Sequence, residues 1–170
     1  TVGNPLFHWT HLELERYIDI KNLLQPSTSK EIFEETNSQL KSLLPKQLLE
    51  NMKVEMLCTT DDPIDDLSHH QKIALSLEGP QVFPGFRPDR IFGIDQYNYL
   101  DYINILSETS GEEITDLDSL LEALRSRVAY FHENRCRMSD HGLEFTYSVN
   151  YTHTEVDTIF KVFEEINFSN

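Results

Sequence analysis

The sequence predicts an α/β fold of about three parallel β/α units preceded by a helical segment. Three observations carry that expectation. Residues 54–59, 81–83 and 136–138 are apolar runs of strand length. Longer stretches of helical periodicity separate them, which is the alternation that parallel β/α units produce. Each run also leads into ionisable residues: Thr59-Thr60-Asp61-Asp62-Pro63, Phe86-Arg87-Pro88-Asp89 and Ser139-Asp140-His141-Gly142. In parallel β/α folds chemistry collects where the chain leaves the C-terminal end of a strand, because the sheet edge is rigid and the loops supply reach.

The elements follow in order. Pro5 opens a helix whose apolar residues Leu6, Trp9, Leu12 and Tyr17 fall near helical spacing. Pro26 breaks the chain, and Ser27 or Thr28 caps a second helix with Glu31 in its first turn and Ile32, Phe33, Leu40 and Leu43 inward. Pro45 starts a short third helix running to Met52. After the first strand, a helix is expected over residues 64–77, with Asp65 and Asp66 in its first turn complementing the dipole. Gly79-Pro80 turns into the second strand. A helix then begins at Asp95 and carries Tyr99, Tyr102, Ile103 and Leu106. Ser110-Gly111 punctuates, and residues 117–131 form another helix capped by Thr115 or Asp116. The third strand and a last helix over residues 154–166 complete the chain. The expected division is a helical insertion at 1–53 and three β/α units at 54–170, and three parallel strands are too few to close a barrel.

The bulk properties narrow the function. With 170 residues the chain is long enough for a domain with a real core. Its 29 acidic against 14 basic residues, net charge -15, repel phosphate backbones and anionic lipid, so neither nucleic acid nor membrane is expected as a partner. A small anionic substrate stays open, because salt screens distant charge and local arginines decide. Cys58 and Cys136 lie on separate predicted strands and read as buried, reduced thiols of a cytoplasmic protein. No apolar stretch approaches a membrane span, and the first residue, Thr1, is expected to mark processing or a piece of a longer product.

Each candidate residue has two readings. Asp61 and Asp62 either aim carboxylates into a pocket or cap the helix that follows. Arg87, beside Phe86, either grips a substrate carboxylate with its planar fork or pairs structurally with Asp89. Asp140 and His141 can abstract a proton or polarise a hydroxyl, or can be satisfied structural groups. His8 and His11 have a spacing that can bind metal, but helix packing explains it as well. His69 and His70 are expected on a solvated acidic helix face.

In this order the motifs resemble uronate isomerase, also called glucuronate isomerase, of the amidohydrolase superfamily. The match runs through Gly3-Asn4-Pro5-Leu6-Phe7-His8-Trp9-Thr10-His11-Leu12-Glu13-Leu14 and Cys58-Thr59-Thr60-Asp61-Asp62-Pro63-Ile64-Asp65. It continues through Phe86-Arg87-Pro88-Asp89 and Cys136-Arg137-Met138-Ser139-Asp140-His141-Gly142-Leu143-Glu144. The resemblance implies a central fragment of a distorted (β/α)8 TIM-type barrel: the helical insertion and about three barrel units. It implies conversion of D-glucuronate to D-fructuronate and of D-galacturonate to D-tagaturonate by the whole protein. Arg87 would hold or orient the uronate. Asp140 would contact its oxygens or relay a proton, with Asp61, Asp62 and His141 as further catalytic candidates. The family's His-x-His metal pair and its later metal-ligating Asp fall outside the matched segment. A divalent metal, zinc by expectation, therefore belongs to the full-length parent, no metal ligand is assigned here, and the chain alone is expected to be inactive. The turn Leu43-Leu44-Pro45-Lys46-Gln47 departs from the family's Arg-Gly-containing turn.

Two alternatives share these residues: a hydrolase of the same superfamily, and a non-catalytic acidic module that binds a sugar acid or a protein. Unpaired outer strands of a partial barrel are expected to drive self-association or a helix-rich rearrangement. The sharpest expectation is spatial. Arg87 and Asp140 should emerge from neighbouring parallel strands on one rim.

Overall fold

The computed structural model describes residues 3–76, 78–143 and 148–168, with side chains as far as residue 161. Within that span the chain is helix-rich and carries a two-stranded parallel sheet. It clusters into two compact units, residues 1–55 with 77–80, and residues 56–76 with 81–170.

The first unit holds three helices. Helix α1 (Pro5–Ile18) starts at Asn4, whose side chain accepts a hydrogen bond from the Leu6 N–H, and Pro5 supplies a first position that needs no donor. It ends at Asp19 in the left-handed region. Helix α2 (Ser29–Leu40) is flanked by Thr28, whose hydroxyl donates to the Leu23 carbonyl rather than capping the helix. Leu14, Ile20 and Ile32 form a small core with Ile18 and Leu24 against it. Of the residues expected inward on α2, Ile32 is buried, whereas Phe33 and Leu40 are exposed and Leu43 is half-buried. Adjacent positions on a helix diverge by about 100°, so one narrow core accepts Ile32 and turns Phe33 away. His11 bridges this unit: its Nε2 accepts from the Leu24 N–H at 2.8 Å, which leaves Nδ1 to donate to the Phe7 carbonyl at 2.6 Å. Helix packing accounts for His11. Helix α3 (Pro45–Asn51) completes the unit, with the Gln47 side chain accepting from the Leu44 N–H.

In the second unit β1 (Met56–Cys58) pairs in parallel with β2 (Gln81–Phe83), Met56 opposite Gln81 and Cys58 opposite Phe83. Helix α4 spans Ser68–Ala74 and β2 leads into a 3-10 turn, Asp89–Phe92. Helices α5 (Tyr99–Ser110), α6 (Leu117–Glu133) and α7 (His153–Phe168) follow. The main core joins Tyr99, Tyr102, Ile103 and Leu106 of α5 to Leu120 and Ala123 of α6 and to Phe160 of α7. A second cluster, Leu67, Phe86, Phe131 and Cys136, underlies the strand exits.

Several elements differ from expectation. Helix α4 begins at Ser68 rather than Ile64, because residues 62–67 form a turn closed by Asp62 and Asp65, with Leu67 at φ 53. Its expected end, Leu77, lies outside the described residues, as does Glu144. Helix α5 begins at Tyr99 rather than Asp95. Asp116, not Thr115, caps α6, accepting from the Ser119 N–H at 2.8 Å. Cys136 is buried but Cys58 is exposed, and both thiols are free.

The largest difference is the third strand. Residues 136–138 make no strand, and only a parallel bridge joins Ser139 to Phe86. Arg135 takes a left-handed φ of 73, and the Cys136 N–H closes the end of α6 by bonding the Phe131 carbonyl at 2.9 Å. A donor committed to the helix cannot serve a strand ladder, so pairing starts only beyond it. Among the described residues no helix is long and apolar enough to cross a membrane.

At Gly85 the first two strand exits pass too close for a side chain. A Cβ there would lie 2.4 Å from the Thr59 carbonyl oxygen, which is backbone and cannot swing aside. Gly85→Ala is expected to destabilise the fold by at least about 1–3 kcal/mol, read as a fall in the urea midpoint. An unchanged midpoint would show that the exits do not pack as described.

Candidate active site

Beyond β1 and β2 the two chains stay in register by single bonds: Asp61 N–H to the Gly85 carbonyl at 2.8 Å and Arg87 N–H to the Asp61 carbonyl at 2.9 Å. On its other side Phe86 bonds the third segment, donating to the Met138 carbonyl at 3.1 Å and accepting from the Asp140 N–H at 3.3 Å. Phe86 is thus the centre of a three-segment platform with parallel bridges to Asp61 and Ser139. Its ring is buried edge-on against Phe131, 5.1 Å between centroids at 87°. Strand direction then sends the next side chains, Asp62, Arg87 and Asp140, out of the same C-terminal ends.

Arg87 and Asp140 meet there. The guanidinium donates Nε to Asp140 Oδ1 at 3.1 Å and Nη2 to Oδ2 at 2.5 Å, a bidentate pair. That contact is the main reason the Arg87 guanidinium holds its proton above its usual range. Asp89, the alternative partner, is 3.8 Å from Arg87 Nε. Asp89 instead serves the third segment: Oδ1 faces His141 Nδ1 at 2.8 Å, and Oδ2 accepts from the Gly142 N–H at 2.6 Å. Desolvation raises the Asp89 carboxyl, but the Gly142 N–H and His141 outweigh it, and the net position is below the ordinary 3.8. A cleft of about 500 Å³ lies beside this row, lined in part by Phe86, Pro88, Arg137, Met138, Ser139 and His141.

The two aspartates of the first exit do different work. Asp61 is buried and holds the exits together: Oδ2 accepts from the Gly85 N–H at 3.0 Å and from the Thr59 hydroxyl at 2.6 Å. Having given its proton to Asp61, Thr59 accepts from His70 Nε2 at 2.7 Å. His70 therefore faces inward, 3.7 Å from Asp61, rather than lying on a solvated face. Neither aspartate caps a helix at Ile64. Asp62 Oδ1 accepts from the Tyr102 hydroxyl at 3.0 Å and the Ile64 N–H at 3.2 Å, and Arg90 stacks on the Tyr102 ring at 4.3 Å.

Burial raises the Asp62 carboxyl above its ordinary 3.8, outweighing the Ile64, Tyr102 and Arg90 contacts. A folded-state value above the unfolded one means that ionised Asp62 opposes folding at neutral pH, and that this opposition fades as pH falls towards 3.8. Asp62→Asn, which keeps both acceptor contacts, is expected to raise the urea midpoint at pH 7 and to lose that advantage near the ordinary carboxylate range. A constant difference across pH would contradict the assignment.

Sequence reasoning misses Arg127, a buried cation within a helix. Its Nε donates to the Pro63 carbonyl at 2.6 Å and Nη2 to the Asp65 carbonyl at 2.9 Å, tying α6 to the first exit loop. The signal available was weak: a single arginine on an amphipathic helix reads as surface. Among the described residues no three His, Cys, Asp or Glu side chains gather as a metal site.

Polar groups converging at the C-terminal exits of parallel segments, over an aromatic platform, define a β/α protein with a strand-end site. The chain belongs to the glucuronate isomerase family, whose model matches residues 1–168. The uronate isomerase of Flavobacterium johnsoniae is 40% identical over 163 residues, 95% of this chain and 35% of the relative. That of Geobacillus thermodenitrificans is 42% identical over 167 residues, 96% and 35% respectively. The crystal structure of uronate isomerase from Thermotoga maritima matches with a TM-score of 0.84 at 37% identity, over 95% of this chain and 36% of that one. This chain thus spans about a third of the length of the curated relatives it matches.

Proposed function

We propose that this chain is the central segment of a cytoplasmic uronate isomerase, contributing the helical insertion (1–53) and about three β/α units (54–170) of a TIM-type barrel. The whole enzyme interconverts D-glucuronate with D-fructuronate and D-galacturonate with D-tagaturonate. The observation that carries the reading is the Arg87–Asp140 pair. Asp140 takes Nε and one Nη2 proton, leaving the Nη1–Nη2 edge of the fork for a second, external carboxylate. Arg87 then holds the uronate while Asp140 keeps the guanidinium oriented and stands ready to take a hydroxyl proton. His141 supplies a second group able to hold or release a proton.

The isomerisation moves a hydrogen between adjacent carbons, and in this family a divalent metal, expected to be zinc, would polarise the substrate oxygens. Among the described residues no three His, Cys, Asp or Glu side chains gather to hold it. With a third of the relatives' length, the purified 170-residue chain is expected to give no turnover of D-glucuronate. Measurable turnover, free of host enzyme, would overturn that. The isolated chain is expected to self-associate through unpaired strand edges or to rearrange into a helix-rich form, and a monodisperse monomer in sedimentation with an intact three-stranded sheet would contradict both. The parent protein, assayed on uronates against amide and lactone substrates, tests the function: hydrolysis without isomerisation would replace this reading with the hydrolase one.

A further inference from the structure

We propose that Asp89 is a positioning residue that fixes the tautomer of His141 and the backbone beside it, so that His141 meets a bound uronate through Nε2. The function of that contact rests on the uronate reading; the tautomer does not. Asp89 has two acceptor oxygens and each faces a donor on the third segment, Oδ1 the His141 ring and Oδ2 the Gly142 N–H. A carboxylate only accepts, so the His141 nitrogen facing it must carry the proton, and that nitrogen is Nδ1. Nε2 then carries the ring's lone pair, and His141 is one of the residues that line the cleft. Among the described residues, Phe92 packs against the ring at 6.0 Å between centroids, and the Arg87 Nε faces Asp89 Oδ2 at 3.8 Å.

Gly142 is part of the same device. A Cβ on it would stand 3.2 Å from Asp89 Oδ2 and 3.7 Å from Arg87 Nη1, where the carboxylate now reaches the backbone. Asp89 thereby links the Arg87–Asp140 ion pair to the His141 ring in one row of contacts.

The substitution Asp89→Asn separates this role from simple packing. The amide it introduces has one acceptor and one donor group in the same shape. The Gly142 N–H is a fixed donor and claims the amide oxygen, so the NH2 faces Nδ1 and drives the ring to the Nε2–H form.

The test is the 15N spectrum of the imidazole rings above their titration, with His141 identified by its loss in His141→Gln. Wild type is expected as Nδ1–H, Asp89→Asn as Nε2–H, and Asp89→Glu as a return towards Nδ1–H. A wild-type Nε2–H ring overturns the proposal without any variant, and so does an unchanged tautomer in a folded Asp89→Asn protein. In the full-length parent, Asp89→Asn is expected to lower kcat on D-glucuronate by about 10–100-fold with KM within about threefold, with Asp89→Glu recovering part. A rise in KM alone would make Asp89 a binding group and overturn the positioning role. A wild-type parent inert on uronates would instead sink the isomerase reading and leave the tautomer result standing.

Discussion

Arg87→Ala in the full-length protein is expected to lower kcat/KM on D-glucuronate by about 10²–10³-fold, corresponding to ~3–4 kcal/mol of lost transition-state binding. Two losses combine. The substrate carboxylate would lose its planar partner, and Asp140 would lose both bonds that hold it, Nε at 3.1 Å and Nη2 at 2.5 Å. Arg87→Lys should recover only a small part, since an ammonium offers a point charge where two parallel donors serve Asp140 and a second edge is needed for substrate. Asp140→Asn keeps the shape but leaves one acceptor facing two guanidinium donors, so it tests the bidentate pair and the anion together. Calorimetry with D-glucuronate on the parent checks the binding part directly. Binding unchanged in Arg87→Ala would remove Arg87 from the carboxylate role.

Phe131→Ala is expected to have the largest effect on stability, about 3–5 kcal/mol, because its side chain is fully buried and truncation leaves a cavity. The consequence reaches the site through one contact. Phe131 supports the ring of Phe86 edge-on, and Phe86 carries the bridges to both Asp61 and Ser139. Loss of that support should loosen the exits that present Arg87 and Asp140. Chemical denaturation of wild type and variant measures the first effect. A loss below about 1 kcal/mol would mean that the platform does not rest on α6.

Residue patterns made much of this readable in advance. Pro5 after Asn4, the capping run at Asp116 and the apolar spacing of α5 are local signals, and local hydrogen bonding honours them. Signals that depended on a distant partner were misread. Asp65 and Asp66 look like first-turn helix acids, yet Asp65 closes a turn on the Asp62 N–H, and Asp66 accepts from Ser68, the first residue of α4. His70 sits among polar residues in sequence, but its ring turns inward to Thr59. Arg127 is indistinguishable from a surface arginine until the Pro63 and Asp65 carbonyls are brought beside it.

By itself the sequence determined the family, the order of the helices and of the two strands that form, and the polar residues Asp61, Asp62, Arg87, Asp140 and His141 that follow the three apolar runs. These are properties of short motifs and of periodicity, and both are written in neighbouring residues. Only the tertiary structure decided who pairs with whom: Arg87 with Asp140 instead of Asp89, Asp89 with His141 and Gly142, and Asp61 with Gly85 instead of a helix end. Such choices join residues more than twenty positions apart, and the geometry of the parallel exits, not the chemistry of either partner, selects among several carboxylates of equal charge.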